Sequence, residues 1–192
     1  MADAGIKARH SAFAENRALA RVALIITIAA SILISGGLRL SSERAAVSGM
    51  YTAKQGIYAD LAARAEAAYI LCDVAKEYPM ISEASINAVS GARDSLLEAL
   101  KDAEARGKHA RADAALDKAV ARLYDELSAA GLNEADDAFA NKQYAEFTGR
   151  GRTITLSAYN ASAELFNAKL RKFPAALIVA ATPVSALELF ND

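Results

Sequence analysis

The chain has 192 residues, 54% of them hydrophobic, with 22 basic and 23 acidic side chains and a formal net charge of −1. Residues 40–192 hold 17 of the basic and 21 of the acidic side chains, and so mildly acidic a domain is a poor candidate for nucleic acid. The single cysteine, Cys72, excludes an intrachain disulfide and carries no information on redox compartment.

Residues 1–21 form a basic leader with Lys7, Arg9, Arg17 and Arg21. Val22 to Leu38 then runs without a charge. Seventeen helical residues span roughly 25 Å, the short end of a membrane crossing. Leu19, Ala20 and Leu40 can extend it, since Arg21 and Arg39 can turn their charges towards headgroups. A cleaved signal peptide competes with this reading. The polar leader is long for a signal, however, and no Ala-x-Ala site follows the run. Ala45-Ala46, the nearest small pair, lies beyond Arg39, Glu43 and Arg44. A buried soluble helix is the weaker rival, because both faces of the run are apolar. Residues 22–40 are therefore expected to be a transmembrane helix, with the bilayer as first partner. Four basic residues precede the run and three (Arg39, Arg44, Lys54) follow it closely. The difference favours a single-pass protein with its C-terminal part on the outer side of the membrane.

The segment after the anchor is long enough for one domain with a core. It holds only three prolines, Pro79, Pro174 and Pro183, and is rich in helix-forming residues. The predicted fold is all-α, an antiparallel four-helix-type bundle of long helices over residues 41–174, followed by an apolar tail over 175–192. A first segment, about 41–77, carries Met50, Ile57, Leu61, Ala65, Ala68, Cys72 and Ala75 at helical spacing. It is expected to continue from the membrane helix, with weak points at Gly36-Gly37 or Gly49, and to end at Tyr78-Pro79. Ser82 can cap the second segment, which carries Ile81, Ser85, Ala88, Ala92, Leu96 and Ala99 and should end near Gly107. The third carries Ala112, Leu116, Ala119, Leu123 and Leu127, with Gly131 as its stop. Asn133 can cap the fourth, whose first turn holds Glu134, Asp136 and Asp137. Gly149-Arg150-Gly151 should interrupt or strain that helix. The pattern then resumes through Leu156, Tyr159, Ala163, Phe166, Leu170 and Phe173 until Pro174. Small residues such as Ala65, Ala68, Ala88, Ala92 and Ala119 let helices approach closely. The large side chains of the fourth segment are expected to form the core. The tail should pack on the bundle or lie at the bilayer surface.

The later part of the chain reads Tyr159-Asn160, Ala163, Phe166-Asn167, Leu170 and Phe173-Pro174. Upstream stand Val89-Ser90-Gly91-Ala92-Arg93, Tyr78 fifteen residues before Arg93, and Leu61 with Arg64. Together these resemble the LemA family over most of residues 20–180. The chain departs from the family at Tyr69-Ile70, where a Pro-Asn is usual, and at Ala180-Ala181-Thr182-Pro183, where a Gly-Phe-rich ending is usual. The resemblance implies a membrane-anchored helical bundle with no established enzymatic activity. Read from the residues alone, Asn160 and Asn167 lie two turns apart beside an aromatic stripe. A half-buried Asn must find partners, so both are expected to fix helix register. Tyr159, Phe166 and Phe173 are expected in the core.

No catalytic, cofactor or metal residues emerge. Gly149-x-Gly151 lacks a preceding strand and a third glycine. No Gly-x-Ser-x-Gly elbow or Glu-x-x-His pair occurs. His10 and His109 stand far apart in charged surroundings. Asp136-Asp137 and the Asp73/Glu77 pair read as solvated charges. Arg106, Lys108, His109 and Arg111 read as decoration of a loop, and Cys72 as a small apolar filler. These features lead to a membrane-anchored, non-enzymatic scaffold or adaptor. Its partners would be membrane or envelope proteins, or a second copy of the chain. The alternative is a periplasmic ligand-sensing four-helix input domain, a class that acts through an output module not legible in these residues.

Overall fold

Helix-forming residues dominate the chain, and the computed structural model describes helix after helix over the backbone of residues 2–190 and the side chains of 17 and 19–190. The elements are α1 (Ala2–Thr52), α2 (Ile57–Lys76), α3 (Glu83–Ala99), α4 (Arg106–Ala129), α5 (Glu134–Thr155), α6 (Tyr159–Leu170) and α7 (Ala175–Ala181). No strand occurs among the described residues. Lys7, Arg9 and His10 of the leader lie outside the described side chains. The chain divides into two compact units, residues 1–43 with 169–185, and residues 44–168 with 186–192.

In the larger unit α2 is the central helix. It packs against α5 and α3 and touches α4, while α3 packs against α4. Its sequence explains why. Ala65, Ala67, Ala68, Cys72 and Ala75 are all buried beside Leu61 and Leu71, and short side chains let neighbours approach on several sides. The expectation that the fourth segment supplies the core holds for its later part, where Tyr159, Ala163, Phe166 and Leu170 are buried, and not for its earlier part. In α5 only Ala140, Phe147 and Ile154 are buried.

Three helix boundaries differ from expectation. The helix that crosses the apolar run continues through Gly36, Gly37 and Gly49 and breaks at residues 53–56 instead. Gly56 marks that break for a steric reason. A Cβ there would sit 2.6 Å from the carbonyl oxygens of both Met50 and Tyr51. The second predicted segment ends at Ala99, well before Gly107, and Gly107 lies in the first turn of α4. Asp102 intervenes, its carboxylate accepting from Glu104 N at 3.2 Å, a local bond that competes with helix continuation. Gly149 and Gly151 do not interrupt α5, which is unbroken to Thr155.

Other boundaries follow the sequence. Asn133 caps α5 by accepting from Asp136 N at 2.9 Å. Gly131, at φ 68°, follows α4 in the left-handed conformation that glycine adopts without cost. Ser82 caps α3, but not with its own side chain. Glu126 of α4 does this work, accepting from Ser82 N at 3.1 Å and from the Ser85 hydroxyl at 2.5 Å. The cap of one helix is thus a tertiary contact with another.

Two predictions test this packing. Phe166 is buried, so Phe166→Ala should destabilise the protein by about 3–5 kcal/mol in chemical denaturation; a loss below about 1 kcal/mol would place the ring outside the core. The Ser85 hydroxyl, before all other influences, holds the Glu126 carboxyl below its ordinary 4.5. The stability Glu126 contributes is therefore complete above pH 4.5 and fades as pH falls through the lower folded value. Glu126→Gln should lower Tm at pH 7, and the gap to the unaltered protein should close below pH 4.5. A gap that persists unchanged into acid would rule out the carboxylate as the cap.

Candidate functional site

Two cationic side chains are buried in the larger unit, and around them the polar chemistry of the protein is organised. Arg106 is 0% exposed. It sits in the first turn of α4, and an ion taken from water at such depth needs compensation on every side. Its guanidinium lies 5.0 Å from the Tyr51 ring centre and 4.9 Å from that of Tyr159, within cation–π range. Nη2 donates to Ser48 Oγ at 2.6 Å and stands 3.5 Å from the Glu104 carboxylate. Nη1 donates to the Tyr159 hydroxyl, which in turn donates to the Glu188 carbonyl at 2.5 Å. Nε has no hydrogen-bond partner.

His109, one turn further on, is also 0% exposed. Its Nε2 lies 2.9 Å from the Ala99 carbonyl, which can only accept, so this nitrogen donates. Nδ1 then accepts from the Tyr51 hydroxyl at 2.6 Å. Burial pushes the Tyr51 and Tyr159 phenols above their ordinary range, so both remain protonated donors at neutral pH. Tyr51 packs edge-on to Tyr159, with ring centres 5.2 Å apart, and near Phe190 at 6.1 Å. Each donor but one has its acceptor, so the cluster acts as a polar clasp on the surrounding elements.

The basic group of residues 106–111 is therefore not the loop decoration that its charge suggests. Two of its members are core residues. The signal was present in the sequence. The α4 stripe Leu116, Val120, Leu123, Leu127, extended back by seven residues from Leu116, falls on His109, and three more reach Arg106.

Arg64 in α2 forms the second centre. Its guanidinium lies 4.0 Å over the Phe147 ring. Nη2 pairs with Asp117 Oδ1 at 2.7 Å, and Nε faces Asp113 Oδ1 at 2.8 Å. The second contact is an ion pair without hydrogen-bond alignment, so both atoms lack a hydrogen bond. Burial pushes the Asp113 carboxyl above its ordinary value, with Arg64 acting in the opposite direction. The glycine expected to break α5 finds its role here. A Cβ on Gly151 would lie 1.9 Å from Arg64 Nη1, so the absent side chain is where the guanidinium fits. Arg64, Arg111, Asp113 and Asp117 line a cleft of about 540 Å³ with Phe190 at its wall. Its two arginines face two aspartates, which leaves no net charge to attract an ionic ligand.

The residues singled out in the sequence fall as follows. Tyr159 and Phe166 are buried with Ala163 and Leu170, as the stripe predicts. Phe173 is 82% exposed and Leu156 is 75% exposed, which corrects their assignment to the core. Each lies outside α6, on irregular chain that does not follow the helical period. Asn160 and Asn167 bond to the tail. Asn160 Oδ1 accepts from Phe190 N at 2.9 Å. Asn167 exchanges two bonds with Leu187, each 2.8 Å, donating to its carbonyl and accepting from its amide. The two asparagines thus hold an extended segment in place, which their register-fixing expectation did not foresee. Pro174, joined to Phe173 by a cis peptide, caps α7. Arg93 donates to the Ala65 carbonyl at 3.3 Å and lies 5.0 Å from the Tyr69 ring centre. Cys72 is buried, and burial raises its thiol above the ordinary range. Among the described residues no three His, Cys, Asp or Glu side chains come together to hold a metal ion.

Comparison with protein-family models, curated proteins and solved structures finds no match.

The two partners of Arg64 differ in depth, with Asp113 13% and Asp117 60% exposed at the side chain. Asp113→Ala removes the inner counter-charge of a buried ion and should cost about 3 kcal/mol. Asp117→Ala removes a solvated one and should cost less than about 1 kcal/mol. Equal losses in urea unfolding would show that the two carboxylates share the charge evenly.

Proposed function

We propose that this protein is a single-pass, membrane-anchored helical adaptor of LemA type that binds other proteins through its packed helices. The observation that carries the reading is the apolar run of α1. Its best window has a mean hydropathy of 2.1, with none of it buried. Val22, Leu24, Ile25, Ile26, Ile28, Ile32, Ile34 and Leu38 are each 51–69% exposed. Water is a poor solvent for such a stripe, and lipid is a good one. The hydroxyls of the run support the same reading. Thr27, Ser31 and Ser35 each donate to the carbonyl four residues back, at 2.9, 2.8 and 2.7 Å. Each donor is satisfied within the helix, as hydrocarbon requires.

Short connections join α2 through α5, which favours antiparallel neighbours and a four-helix bundle. Three of the residues that carry the LemA resemblance act together in this fold. Tyr159, Asn160 and Asn167 all bind residues 187–190. For partner docking, Met50 and Leu156 are exposed and line one shallow cleft of about 280 Å³ beside Ile57. The charge bias around the run supports an outer location for the part of the chain that follows it.

Three linked measurements test the reading. Alkaline carbonate should leave the protein in the membrane, and Ile28→Lys should release it. Reporter fusions after Asp192 should be active only on the outer side. Cross-linking in intact membranes should capture a defined partner protein, and Leu156→Glu should abolish that capture while leaving Tm within about 1 °C, as expected for a surface change. A monomer without cross-linked partners in either form would end the adaptor proposal.

A further inference from the structure

The smaller unit holds a groove of about 670 Å³ between α1, the end of α6 and α7. One end is basic, with Arg39, Lys169 and Lys172, and the lining turns apolar through Ile178 towards Ile32. Ile32 lies seven residues before Arg39 on the same helix, so roughly 10 Å separate the two ends. Gly36 forms the wall between them. A Cβ on it would stand 2.4 Å from Ile178 Cδ1, so α7 meets the helix where no side chain intervenes.

The charges of the basic end are unequal. Glu43 takes up one of them, bridging Lys169 at 2.7 Å and Arg39 at 3.3 Å. Lys169 before all else holds the Glu43 carboxyl below its ordinary value, so it is ionised at neutral pH. Three cations against one anion leave a surplus of two. Lys172 forms no ion pair among the described residues. An apolar trough alone would accept any acyl chain. A trough that ends in surplus positive charge selects an amphiphile with an anionic head. Its location at the Arg39 border of the apolar run matches the depth at which lipid phosphates lie.

We infer that this groove binds one anionic phospholipid, its phosphate between Arg39, Lys169 and Lys172 and an acyl chain along Ile32 and Ile178. The inference rests on the membrane reading of α1 and adds to it a specific lipid site.

The test uses the full-length protein in detergent micelles, with bound lipid counted by native mass spectrometry. Phosphatidylglycerol should be retained at one copy and at least tenfold more tightly than phosphatidylcholine with the same chains. The double variant Arg39→Gln/Lys172→Gln, at two exposed positions, should bind the two lipids equally. Ser35→Trp, which fills the trough from an exposed position, should lose both. Inorganic phosphate and glycerol phosphate should not displace the lipid at millimolar concentration. Displacement by either would assign the site to a free phosphate and overturn the lipid. Equal binding of both lipids by the unaltered protein would overturn the charge selection. Carbonate extraction of the same variants separates this inference from the reading beneath it. An integral protein without lipid preference sinks the groove alone, whereas release of the unaltered protein sinks the anchor as well.

Discussion

The fold of the larger unit depends on the cost of hiding a guanidinium from water. Arg106 cannot shed its proton, and it has no solvent contact. Its compensation is drawn from chain segments far apart in sequence. Ser48 and Tyr51 come from the end of α1, Tyr159 from the start of α6, and the Glu188 carbonyl from the tail through the Tyr159 hydroxyl. No single segment can bury its share without the others. Removing one partner would leave a buried charge uncompensated, a larger penalty than the loss of an apolar contact of equal size. The clasp therefore makes the joining of these elements all-or-none, where alanine-rich helices alone would slide over one another with little preference.

Arg64 repeats the device with a different accounting of charge. One of its carboxylates is deep and the other is solvated, and an aromatic face covers the remaining side. The space comes from Gly151 on α5. In isolation a glycine inside a helix is a defect of about 1 kcal/mol relative to alanine. Here the defect is local and the return is tertiary, because the vacancy receives a guanidinium anchored on another helix.

That trade explains much of what the sequence revealed and what it concealed. Helical class, the capping of α5 by Asn133 and the stop at Gly131 were legible because each depends on residues within one turn. The stripe Tyr159, Ala163, Phe166 and Leu170 was legible because helical period alone sets it. The continuity of α5 through Gly151 was not, since its cause lies 87 residues away in Arg64. The burial of Arg106 and His109 was hidden by composition, because a run of basic residues resembles a solvated loop until its phase is compared with Leu116 and Leu123. The tail-binding role of Asn160 and Asn167 was half visible. Their types and spacing required partners, but only the fold could name residues 187–190 as those partners. The break at Gly56 is not legible beside Gly36 and Gly49, since nothing in the local sequence shows that two carbonyls crowd its Cβ position.

The two units also solve opposite solvation problems. In the larger one, polar and charged groups are turned inward and must be matched one by one by donors and acceptors of the chain. In the smaller one, the aliphatic side chains of the apolar run are turned outward, and the hydroxyls of Thr27, Ser31 and Ser35 among them are matched by their own backbone. A helix that satisfies every polar group internally has no use for water along its length, whereas its basic border does. On the proposed reading, Arg39, Lys169 and Lys172 stand where those two requirements meet. Glu43 neutralises only part of that charge, and among the described residues no other carboxylate pairs with the remainder. A surplus of positive charge beside an apolar trough is stable only if water or an anion covers it, and at a membrane border a lipid phosphate can bring both the anion and a chain for the trough.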